Sequence, residues 1–90
     1  MQKRKVAVNK LYISPREAYT NQVVELTDGT VTGWHPLTHE EPMTEWLGGT
    51  LVVSPLPNLR PLHISRISDF YPAGGHHPAP LSAYHIAHII

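Results

Sequence analysis

The chain carries seven histidines in ninety residues, and imidazole is the one side chain in it whose spacing suggests metal chemistry. His76 and His77 follow Gly74-Gly75, while His85 and His88 are three apart, which on a helix would set both rings on one face within reach of a single ion. Four imidazoles would complete a tetrahedral site. The surrounding sequence gives them little help: cysteine is absent, and no carboxylate follows Asp69 to fix a ring tautomer from behind. The histidines therefore read as solvated or interface side chains, with a metal site at His76, His77, His85 and His88 as the alternative.

Other chemistry finds less support. Ser54, Ser65, Ser68 and Ser82 have no nucleophile elbow or paired base beside them. Glu40, Glu41 and Glu45 read as a solvated acidic loop rather than acid-base partners, because nothing in the sequence sets them in a cleft. Trp34 and Trp46 read as sheet-packing and interface residues rather than a ligand platform. No catalytic residue and no cofactor are expected.

Composition limits what could position such groups. Ninety residues make one small domain that buries roughly 60 to 65% of its unfolded surface. Without cysteine no disulfide or thiolate site can staple it, which favours a reducing, cytoplasmic setting. Seven basic and seven acidic side chains cancel, and a pI near 7.1 leaves little repulsion to keep copies apart. The basic start Lys3-Arg4-Lys5 is too short for a nucleic-acid surface. Asn9 and Lys10 interrupt any apolar signal region, and no stretch reaches membrane-spanning length.

Val6, Val8, Leu11 and Ile13 with polar neighbours predict a strand over 5–13, ended by Pro15. Asn21 to Thr27 and Thr30 to His35 flank Asp28-Gly29, the pair that suits a two-residue type I′ turn. A regular hairpin there opposes Leu26 to Val31, Glu25 to Thr32, Val24 to Gly33 and Val23 to Trp34. Val24, Leu26 and Val31 then line the core face, and Val23, Thr27 and Trp34 the other. Thr38 to Glu41 has capping-box spacing, but Pro42 permits only a short turn. Gly48-Gly49 permits a bend or bulge before a strand over 50–54, which Pro55 closes. Beyond it only Leu62 to Ile67 alternates well enough for another strand. In the last ten residues Ala83, Ile86, Ala87 and Ile90 fit a helix, whereas Tyr84, Ile86, His88 and Ile90 fit a strand; both readings stand.

The run Val23 to Trp34, with its Thr27-Asp28-Gly29-Thr30 turn, followed by Trp46-Leu47-Gly48-Gly49-Thr50-Leu51-Val52-Val53-Ser54-Pro55, resembles the N-terminal part of the small β domain of amidohydrolase-superfamily enzymes. The likeness covers Val6 to Pro55. In that family the last strand leads into Pro-Gly-x-x-Asp-x-His-x-His, whose histidines hold the catalytic metal. Here Leu56, Leu59 and Pro61 stand at the glycine, aspartate and first histidine positions, and only His63 coincides with the second. The resemblance implies the small domain's fold, standing alone without the barrel and without the activity.

These readings give a mainly β chain, a small antiparallel β-sandwich or partly open barrel, with an irregular proline- and histidine-rich C-terminal extension and room for one short helix. Residues 1–54 form the β-rich core and 55–90 an extension or arm of the same unit. An isolated half of the family's small domain would expose strand edges and an apolar face. Either Leu56 to Ile90 folds back as the cover or another copy supplies it, and a homo-oligomer, most simply a dimer, is expected. Trp34, Trp46, Tyr84, Ile86, Ile89 and Ile90 are the expected contact residues. The function that follows is a non-catalytic β module acting through protein contacts or self-association; the alternative is a histidine-based metal binder or remnant hydrolase. No nucleic acid and no membrane are expected as partners.

Overall fold

The computed structural model describes residues 2–72 and 80–86. They are mainly β: β1 (Lys3–Ser14), β2 (Glu17–Thr27), β3 (Thr30–Pro36), β4 (Thr44–Trp46), β5 (Thr50–Ser54) and β6 (Ser82–Ile86), with two 3₁₀ turns at Pro61–His63 and Ile67–Phe70. One sheet takes all six strands in the order β2-β3-β6-β5-β1-β4, and β1 also pairs with β2. That extra pairing curls the sheet into a ring. Its joint between β3 and β6 is slight: Thr30 opposes Ser82, and the Val31 amide donates to the Leu81 carbonyl at 2.8 Å. The result is a partly open barrel. The sheet is mixed rather than wholly antiparallel, because β4 and β5 both run parallel to β1.

Local chemistry explains the turns. Asp28 and Gly29 adopt φ of 51° and 81°, the positive pair that a two-residue I′ turn requires. Asp28 is fastened to the start of β1, its carboxylate accepting from the Gln2 amide at 2.8 Å and its own amide donating to Gln2 O at 2.7 Å. Thr27 opposes Thr30 and Leu26 opposes Val31, as the regular hairpin predicts, but then the register slips and Glu25 opposes Gly33 while Val24 opposes Trp34. Thr32 is the extra residue, and its hydroxyl donates to Glu25 O at 3.2 Å. The bulge moves Trp34 from the expected outer face to the inner one, where it packs against the core.

β4 and β5 are two parts of one run along β1. Leu47 to Gly49 span on it what Val8 and Asn9 span on β1, so a single extra residue is absorbed between the pairs Ala7–Trp46 and Lys10–Thr50. Gly48 and Gly49 take φ of 66° and 62°, where a side chain is strained. Asn9 holds the bulge, its Oδ1 accepting from the Gly49 amide at 2.7 Å.

The inner face buries Val6, Val8, Leu11, Val24, Leu26, Val31, Leu51 and Val53. Outside the β5–β6 pair a second cluster forms around Val52, Phe70 and Ile86, with Tyr12, Leu59, Ile64, Ile67, Tyr71 and Tyr84 against it. The chain thus folds back over its own sheet. The strand expected over 62–67 is absent; the segment forms the two 3₁₀ turns, because Pro61 starts the first and Ile64, Ile67 and Phe70 recur every three residues, the 3₁₀ repeat. Among the described residues of the C-terminal stretch the strand reading holds, with Ser82–Ile86 paired to β5.

Tyr71 leaves a defect in this cover. Its hydroxyl is buried with no hydrogen-bond partner among the described residues, and burial pushes the phenol above its ordinary value of 10.0. A proton held more tightly in the folded state means stability that is whole below pH about 10 and falls as the pH climbs past it. Tyr71→Phe is expected to remove that alkaline slope and to raise the melting temperature at neutral pH by about 4 °C, since it deletes an unsatisfied polar group. Thermal melts of both proteins from neutral to alkaline pH measure it.

Candidate functional site

The outer face of β1–β3 gathers four ionisable side chains, Lys5, Glu25, His35 and Glu41. Lys5 opposes Glu25 and Ala7 opposes Val23 across β1 and β2, and His35 on β3 opposes Val23, so these residues share that face. The connection from Leu37 to Met43 lies over them. One end is tied by the Leu37 amide, which donates to Asn21 O at 2.8 Å. The other is tied by Glu41, whose carboxylate meets His35 Nε2 at 2.8 and 3.1 Å and Lys5 Nζ at 3.8 Å. Glu25 stands at the second ring nitrogen, 3.4 Å from Nδ1. Beneath, Ala7 and Val23 are 3% and 0% exposed although they point away from the inner core.

A histidine between two carboxylates invites an acid-base reading, which the geometry disfavours. A catalytic imidazole keeps one nitrogen for the substrate, whereas both nitrogens of His35 already face a carboxylate. The arrangement fastens the connection to the sheet. Glu41 is therefore not the solvated side chain that its acidic neighbourhood suggests: 14% of its side chain is exposed. Glu25, His35 and Lys5 carry no local motif. Only their shared face in the strand register could have drawn them together, and the Thr32 bulge hides that register.

The described members of the expected site residues lie apart from this cluster. His85 is engaged with the backbone, its Nε2 standing 3.1 Å from Gly48 O. His76, His77, His88, Ile89 and Ile90 lie outside the described residues. No group of three or more histidine, aspartate or glutamate side chains is placed to hold a metal among the described residues. Tyr84 and Ile86 are spent within the chain: Ile86 is 2% exposed, and the Tyr84 hydroxyl donates to Leu56 O at 2.6 Å and accepts from the Leu59 amide at 3.2 Å. Neither offers much surface to a partner, because the 56–71 segment covers them. Trp34 is half-buried on the inner face. Trp46 is exposed, like Met43 and Leu47 near it.

Two hollows flank the fastened connection. One, of about 330 Å³, lies at the start of β1, with Lys3, Lys5, Thr27, Thr32 and Met43 in its lining. The other, of similar volume, has Ala7, Leu37 and Thr44 with Trp46, Glu40 and Glu41 around them. Among the described residues no helix is long and apolar enough to cross a membrane. Comparison with family models, with curated proteins and with solved structures gives no match for this chain.

Proposed function

We propose that this chain is a non-catalytic β module that works through protein contacts, pairing with a second copy of itself. The observation that carries the reading is the margin at β4. This strand ends the sheet order, so its outer edge meets no strand among the described residues, and Met43, Trp46 and Leu47 beside it are 93%, 60% and 38% exposed. Met43 is held there at φ of 59°, an uncommon conformation for a long side chain. Zero net charge lets two such margins approach. Kinship with the small β domain of amidohydrolases belongs to the same proposal; the Asp28-Gly29 hairpin and the glycine-bulged strand ending at Pro55 support it. A cytoplasmic setting, which the lack of cysteine favours, completes it.

Light scattering of the full chain across micromolar concentrations tests the pairing. The expected mass is twice the 10.1 kDa of one chain, reverting to one chain in Trp46→Lys/Leu47→Lys. A single-chain mass at every concentration would remove self-association.

A further inference from the structure

We infer that the hollow beside Trp46 is a binding site for one cationic side chain, a lysine or arginine presented by a contacting protein. This deepens the contact-module reading and rests on it. Trp46 is the most exposed aromatic residue of the described chain, and it lines a concavity rather than lying on a flat surface. The indole stands beside the β4–β5 bulge. Gly48 lies so close that a Cβ there would be 3.4 Å from Trp46 Nε1 and 3.7 Å from Cε2. That is ordinary contact spacing for the ring, while the φ of 66° and Asn9 Oδ1, 3.3 Å from such a Cβ, are what strain a side chain at Gly48.

The charged groups in the lining are both carboxylates, Glu40 and Glu41. Glu41 shares its charge with His35 and Lys5, whereas Glu40 is exposed and has no hydrogen bond or ion pair among the described residues. One uncompensated negative charge beside an aromatic wall, over a floor of Ala7 and Leu37, matches a single positive head on an apolar stem. The ring quadrupole attracts the cation and the floor accepts the methylenes. At about 330 Å³ the hollow lies at the small end of ligand sites, which span roughly 300–1,000 Å³, so it suits one side chain rather than a cofactor.

Titration of the full chain with N-acetyl-arginine amide, followed by the NMR shift of the Trp46 indole N–H, tests this, with Trp34→Phe assigning the two indole signals. The expected result is saturable binding with a dissociation constant on the order of millimolar, weakening as salt is added. Trp46→Ala and Glu40→Gln should each weaken binding about fivefold, Glu40→Gln while leaving the melting temperature unchanged, and Trp46→Phe should retain most of it. The neutral analogue N-acetyl-norleucine amide should bind far less. A Trp46 shift that never saturates, equal binding of the neutral analogue, or unaltered binding by Glu40→Gln would overturn the inference. Cation binding by a chain that light scattering finds single would leave the hollow standing and remove only self-association. A dimer that binds no cation would do the reverse.

Discussion

Phe70→Ala is expected to cost about 3–5 kcal/mol, measured as the fall in unfolding free energy in urea. Phe70 is fully buried and stands at the centre of the outer cluster with Val52 and Ile86, its ring centroid 5.7 Å from that of Tyr84. It closes the 3₁₀ turn Ile67–Phe70, so the cavity left by alanine would lie between that turn and the sheet. Domains of this size are held by about 5–15 kcal/mol, which makes the loss a large part of the total. A cost below about 1 kcal/mol would mean that the 56–71 cover contributes little and that the barrel stands without it.

Ser54→Ala is expected to cost about 1–3 kcal/mol in the same assay, for a different reason. The Ser54 side chain is fully buried at the end of β5; its hydroxyl donates to Phe70 O and accepts from the Leu56 amide at 3.0 Å. One oxygen thereby ties both ends of the returning segment to the strand it covers. Alanine strands a buried carbonyl and a half-buried amide while creating almost no cavity, so the loss reports polar satisfaction rather than packing. Because both substitutions act on one contact region, the double variant should lose less than the sum. Strict additivity in that cycle would show that Ser54 and the cover act independently.

The legible part of the fold was the part specified over a few residues. Asp28-Gly29 marked its turn, Gly48-Gly49 its bulge and Pro55 the end of β5, since each rests on backbone freedom at one or two positions. β2 begins at Glu17, earlier than the pattern suggests, because Glu17 to Asn21 are all exposed and show no alternation. The core face of the hairpin, Val24, Leu26 and Val31, is legible in the alternation, whereas Trp34 is not: the Thr32 bulge shifts the register, and one residue of slip transfers it to that side. Leu62 to Ile67 alternated like a strand, yet the three-residue repeat from Ile64 through Phe70 governs, since the partner surface was already a sheet.

The candidate site was less legible still. Glu41, His35, Glu25 and Lys5 come from four separate stretches, and their meeting depends on the pairings of β1 with β2 and β2 with β3. Trp46 was named as a contact residue on its type alone. What places it beside a hollow is its parallel pairing with Ala7 and the connection that brings Leu37, Glu40 and Glu41 to the same place, neither of which a local motif reveals.

The slender joint between Thr30 and Ser82 also bears on the order of assembly. β1, β2 and β3 are consecutive neighbours and can zip together soon after they are made, with small loops to close. Leu51 and Val53 have no roof along the far side of β5 until residues 82–86 arrive, some thirty positions later. During synthesis the nascent meander must therefore wait, half wetted, for its keystone. That interval is when this chain is most exposed to wrong partners.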